Sequence, residues 1–323
     1  MQSLVLSRGV SSEGLAHLAN LSEMERLGLQ DTQIDDAGLT FLKQMNELRN
    51  LGLDDTRVTE EGLVHLVGFQ NLELLSLPFD VGDAGLMHLL QLTSLKSVAI
   101  QGDSVTGAGL VALSNMKSLE YVNVNDTEKM DTLVGELVKM SGLRALKLGA
   151  GLIHNGPVQL KNLPLLMDLT LPHIQLTSRD MAALAQLHSL RMLDHYDVEL
   201  SRDEDWEALG KLSSLQSLDL SRIRSEITDG RIANLTGLHS LKRLEMSTKR
   251  PSSITDAALK HISELKAMES LKININDAKI TDEGLEYLEG LDSLKSLDLQ
   301  GCTVTGRGLQ RLKKKLPALR LYL

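Results

Sequence analysis

The densest group of chemistry-bearing residues in the chain is Asp194-His195-Tyr196-Asp197, and Asp168 and His173 precede it at the spacing of an internal repeat. An imidazole set between carboxylates can ligate a metal or carry a proton, because its charge changes near neutral pH. The motifs that accompany such chemistry are missing. The chain has no H-E-x-x-H, C-x-x-C, G-x-S-x-G or Walker sequence. Its single cysteine, Cys302, excludes an internal disulfide and a cysteine-rich metal site. Gly149-Ala150-Gly151 follows a strand pattern, but the next glycine is Gly156, at the wrong spacing for a phosphate loop. We therefore expect no catalytic residues, no metal and no cofactor, and an ordinary structural or binding role for the histidine.

What must position these residues is a repeated unit. Residues 48–71 read LRNLGLDDTRVTEEGLVHLVGFQN. Leu48, Leu51 and Leu53 have the period of a strand, whereas Leu63, Leu66 and Phe69 have the period of a helix. Such a unit cannot bury its apolar side alone and must stack on copies of itself. Aligned starts fall at 1, 24, 48, 72, 95, 119, 143, 166, 190, 215, 241, 268 and 294, giving thirteen units and a broken fourteenth at Leu319. Strands are expected near 26–29, 50–53, 74–77 and onward, all parallel in one sheet.

The alternation in Leu51-Gly52-Leu53 leaves one sheet face open, because parallel strands covered on both faces read as continuous apolar runs. Thr, Asp or Cys after the strand can hydrogen-bond turn backbone groups. Thr59, Thr255 and Thr281 read as helix N-caps with acids in the following turn. Ser201 with Glu204 has capping-box spacing. Gly38, Gly62, Gly85, Gly109 and Gly284 are expected to let each helix approach the sheet closely.

The helical half reads I/V-T-D-x-G-L-x-x-L-x-x-L, as in Ile254-Thr255-Asp256 and Ile280-Thr281-Asp282-Glu283-Gly284-Leu285. In this the chain resembles the leucine-rich repeat family over its whole length, in the version of the cysteine-containing repeats of F-box proteins and of shorter bacterial relatives. The cysteine position of that version is Thr32, Thr56 or Thr127 here, and only Cys302 matches it; no F-box-like segment precedes the first unit. The resemblance implies one α/β domain over residues 1–323, a right-handed horseshoe with parallel strands on the concave face and short helices on the convex face. It also implies a non-enzymatic scaffold that binds another protein through the concave face. The alternatives are the recognition arm of a ubiquitin ligase lacking its F-box, and a bacterial effector or surface binding protein.

Hydrophobic residues make up 42% of the chain and aromatics 2%, so the core must be aliphatic. A net charge of -9 argues against a nucleic-acid partner. No apolar run reaches the roughly 18 residues of a membrane span, and the start lacks a signal-peptide pattern. A cytoplasmic protein is expected, or a secreted one if a leader precedes this sequence. Residues 1–161 hold 12 Lys+Arg against 20 Asp+Glu, net -8, and the remainder 22 against 23, net -1.

The third, fifth and seventh positions of each unit face the open side. Early units place small side chains there: Gly28, Gly52, Ser76 and Ala99. From the sixth unit the face gains Tyr121, Asn123, Asn125, Asp168, Thr170, Asp194 and Tyr196, the expected partner-binding patch. Longer loops in units ten to twelve bring Arg222, Arg224, Lys249, Arg250 and Lys279 to one rim, suited to an acidic partner. The last helix adds Arg307, Arg311 and Lys313 to Lys315, and cations late in a helix complement its dipole. The first and last strands, around Leu4-Val5-Leu6 and Leu319–Leu323, leave apolar edges, so end-to-end self-association is expected if terminal caps are missing.

Overall fold

The computed structural model describes residues 2–149, 156–171, 176–195, 200, 202–221, 223, 225–248, 252–276 and 278–322. At 156, 157 and 195 it describes the backbone only. The chain divides into two compact units, Met1–Leu165 and Leu166–Leu323.

The first unit contains β1 (Ser3–Val5), β2 (Arg26–Gly28), β3 (Asn50–Gly52), β4 (Leu74–Ser76), β5 (Ser97–Gln101), β6 (Tyr121–Asn125) and β7 (Ala145–Leu148). Each pairs parallel with the next in sequence. The second contains β8 (Asp168–Leu171), β9 (Met192–His195), β10 (Ser217–Asp219), β11 (Arg243–Thr248), β12 (Ser270–Ile275), β13 (Ser296–Asp298) and β14 (Arg320–Tyr322), paired in the same way. Strands recur at the expected spacing. The register sets leucine on leucine: Leu27, Leu51 and Leu75 in the first unit, Leu218, Leu244 and Leu271 in the second. All six are at most 2% exposed. Each such leucine stabilises its unit by about 1.5–3 kcal/mol, renewed at every repeat.

The turn after the strand repeats as well. Asp31, Asp55, Asp80 and Asp126 have φ between 52 and 61°, and Gly102 and Gly301 hold the equivalent left-handed place. Aspartate tolerates that region through local hydrogen bonding. Thr32 and Thr56 then donate to the Leu29 and Leu53 carbonyls at 2.7 and 2.8 Å, as the turn reading expects. Thr127 differs, donating instead to the Asp103 carboxylate of the preceding repeat at 2.9 Å.

On the helical side, Thr255 and Thr281 cap their helices, accepting from the Ala257 and Glu283 amides. Thr59 does not; its short 3-10 turn, Gly62–Leu66, starts later. The larger role of these threonines lies between repeats. The amide and hydroxyl of Thr281 donate to the two carboxylate oxygens of Asp256, 2.8 and 2.7 Å away, in the first turn of the preceding helix. Thr59 holds Asp36 this way, Thr106 holds Asp83, Thr255 holds Asp229, and Thr305 holds Asp282.

This clasp also explains the glycines. A Cβ on Gly284 would stand 2.1 Å from Asp256 Oδ1, and one on Gly62 2.0 Å from Asp36 Oδ1. At Gly62, Gly109 and Gly284 the glycine makes room for the preceding aspartate, whereas Gly38 and Gly85 are crowded first by Ile34 and Val81 of their own repeats.

One repeat departs from the pattern. Ser201 lies outside the described residues, and the acid that folds back is Asp205 rather than Glu204. Asp205 accepts from the Arg202 amide at 3.2 Å and its guanidinium at 2.9 Å. One residue on, Trp206 is fully buried and donates its indole N–H to the Leu200 carbonyl at 3.1 Å. The capping box that forms fully is Thr177 with Asp180.

Candidate functional site

With helices packed on one side of each sheet, the third, fifth and seventh positions line the other. In the first unit the fifth positions run Val5, Gly28, Gly52, Ser76, Ala99, Asn123 and Lys147 across the register. This row holds no acid. Gly28 and Gly52 leave a shallow depression of about 220 Å³, flanked by Val5 and Leu74, which are 75% and 38% exposed. The Gln30 side chain lies across it, where a Cβ on Gly52 would meet its Nε2 at 2.0 Å. Beside it, burial pushes the Asp54 carboxyl up.

Tyr121, Asn123 and Asn125 occupy alternate positions of β6 and share this face. They are half-buried rather than exposed, because strands on either side crowd them at about 4.8 Å. Burial raises the Tyr121 phenol. Asn125 Oδ1 lies over Gly149, 2.1 Å from where a Cβ would stand. Asn123 Oδ1 is buried with no hydrogen-bond partner among the described residues.

In the second unit Asp168 is exposed, and Thr170 and Asp194 are half-buried on neighbouring strands in direct register. Asp219 follows the last paired residue of β10, Leu218, as Asp194 follows its partner Leu193; in direct register Glu245 then stands beside Asp219, Lys272 beside Glu245 and Asp298 beside Lys272. Lys272 Nζ donates to Glu245 Oε1 at 2.6 Å. That bond raises the Lys272 ammonium; desolvation, next in size, opposes it, and the charges of Glu245, Asp298 and Asp219 add smaller upward effects. Asp219, Glu245 and Asp298 were missed in the sequence; the signal was an acid at the same fifth position in several units.

A third row, at the start of the strands, is ionic. Glu73 lies between Arg49 at 2.7 Å and Lys96 at 2.9 Å. Its counterpart Glu269 contacts Lys295 at 2.6 Å and Lys242 at 3.9 Å. Exposed pairs of this kind contribute little stability.

Tyr196, Arg222, Arg224, Lys249 and Arg250 lie outside the described residues, as do His173 and Asp197. Lys279 is exposed, its amide bonded to the Ile254 carbonyl at 2.8 Å. Arg311 pairs with Glu286 at 2.8 Å, and Lys313 reaches the Leu319 carbonyl. Among the described residues no group of three or more His, Cys, Asp or Glu could hold a metal, and no helix is long and apolar enough to cross a membrane. Burial pushes the Cys302 thiol up to about 11, so it stays protonated at neutral pH.

Residues 269–288 and 292–313 match a family model described as Leucine Rich repeat. Among solved structures, internalin InlF of Listeria monocytogenes is 22% identical, with a TM-score of 0.61, covering 100% of this chain and 86% of its own. A leucine-rich repeat protein of Leptospira interrogans is 18% identical, TM-score 0.57, covering 100% and 90%. A chain of the mouse RP105/MD-1 complex is 20% identical, TM-score 0.63, and this chain spans 63% of it. With the strand–turn–helix units already described, these likenesses show that the chain has the α/β leucine-rich repeat fold.

Proposed function

We propose that this chain is a non-enzymatic binding protein whose open sheet faces take a protein partner. The observation that carries the reading is Asn123. Its carboxamide oxygen is buried without a donor among the described residues, at a cost of about 1–3 kcal/mol that is relieved when the half-buried side chain turns outward to a partner's N–H. Beside it Tyr121 offers a ring of low conformational entropy with a hydroxyl at its tip. Asn125 extends this surface in the first unit; Asp168, Thr170 and Asp194 form the one in the second, with Tyr196 assigned to it from the sequence. Arg222, Arg224, Lys249, Arg250 and Lys279 form a secondary basic contact. The fold is one in which protein-interaction domains are typical, and the RP105/MD-1 structure is itself a complex.

The test is a photo-crosslinking residue placed at Tyr121, and separately at Val111 on the outer helical side, in the native host. The open-face probe should trap another protein, and Tyr121→Ala should weaken that purified complex by more than about 1 kcal/mol. Adducts from Val111 alone would overturn the reading.

A further inference from the structure

We infer that the open face of the second unit selects an extended segment bearing two cations four residues apart, laid across the strands. This rests on the open-face reading and specifies its partner there. The surface is a sheet face with no helix over it. Its fifth-position row carries Asp219, Glu245 and Asp298 in register, with Asp194 at the same position of the preceding repeat. The one cation in that stretch, Lys272, is bonded to Glu245, which leaves Asp219 and Asp298 on either side of a neutral pair. Asp298 accepts only the nearby Gln300 amide, at 3.3 Å, and Asp219 the Ser221 amide, at 2.8 Å, among the described residues. Two residues from Asp219, the Oγ of half-buried Ser221 is shielded and has no hydrogen-bond partner among the described residues.

The spacing fixes the segment. Three strand steps separate Asp219 from Asp298, about 14 Å, and an extended chain covers about the same distance in four residues with both side chains on one side. Lysine or arginine at i and i+4 therefore meets both carboxylates at once, and a small polar residue between them passes over the Lys272–Glu245 pair. Among the described residues Arg243 and Arg320 also face this surface, one row away and nearer the strand starts, where they disfavour a third positive charge on the segment.

The test uses the full chain and a labelled peptide of serine and threonine with lysines at i and i+4; a glutamate version serves as control. The lysine peptide should bind, with affinity falling as salt rises, and the glutamate peptide should not. Asp219→Asn with Asp298→Asn should weaken binding about tenfold and flatten the salt dependence. Glu264→Gln with Asp292→Asn, exposed acids away from this face, should leave it unchanged. Carbodiimide coupling should join peptide lysines to Asp219 and Asp298. Coupling on this face that is indifferent to the double variant overturns the cation-selecting row while leaving open-face binding standing. Coupling to Glu264 or Asp292 instead contradicts both, and no binding of the lysine peptide overturns the row.

Discussion

Asp36 and Asp256 do the same work in different halves of the chain, whereas Gly52 and Glu245, at one and the same place in their repeats, do opposite things. Each aspartate clasps the threonine of the next repeat through two hydrogen bonds. Gly52 empties the open face of its unit, and Glu245 puts a charge on it. The outer side of the solenoid is thus built alike in both units, and the open side is where they diverge. Net charge hides this. The N-terminal half carries -8, yet its acids sit largely in the left-handed turns and at helix starts, and the fifth-position row there has none. The C-terminal half is near neutral and displays an acidic row.

If the outer side is common, Asp36→Ala and Asp256→Ala should cost similar amounts, about 1–3 kcal/mol each, in urea unfolding. A large loss from one and none from the other would break the equivalence.

A smaller effect separates the two sides. Gly284→Ala forces its Cβ onto Asp256, which is anchored by two bonds, so it should destabilise by about 1–2 kcal/mol and be non-additive with Asp256→Ala. Gly52→Ala meets Gln30 at a similarly short distance, but that flexible side chain can swing aside. Its cost should stay within about 0.5 kcal/mol. Equal costs would mean that the open face is as tightly built as the outer one.

The smallest effect is acid sensitivity. The Thr305 hydroxyl, then its amide, and more weakly Arg311 hold the Asp282 carboxyl below the usual carboxylate range. In the first unit the Glu128 amide and then the Thr127 hydroxyl do so for Asp103. A folded pKa below the unfolded one gives stability that is complete above the unfolded value, near 3.8, and is lost as pH falls through the lower folded value. Asp282→Asn and Asp103→Asn should each flatten the acid limb of a stability–pH curve and leave its neutral region level. A steeper acid limb in either variant would contradict the assignment.

The period of leucines is legible because each must meet the same core, so strand positions and the parallel register follow directly from spacing. The open-face residues were legible as positions, through the alternation in Leu51-Gly52-Leu53. The clasp was not. Thr281 and Asp282 are adjacent in sequence, which suggests a local cap, but the carboxylate that Thr281 holds is Asp256, a full repeat earlier. Gly62, Gly109 and Gly284 misled for the same reason, since their crowding partner is an aspartate of the previous repeat. The acidic row was legible in part: Asp194 stood out beside His195 in an irregular repeat, while Asp219, Glu245 and Asp298 sat in strands of regular pattern, and in units ten and eleven the longer loops drew the notice instead.

The central claim is that partners meet the open faces and the outer helices serve as scaffold. It is tested most directly by placing a bulky charge on each side in turn and measuring affinity for the protein trapped at Tyr121. Ser97→Arg on β5 and Ser270→Arg on β12 both project onto open faces. Val111→Arg, at a residue 44% exposed, and Lys260→Glu project from outer helices. The account predicts that at least one open-face change abolishes binding while both outer changes leave it within about twofold, a difference under 0.5 kcal/mol. Binding that survives both open-face changes and is lost on an outer one would contradict it.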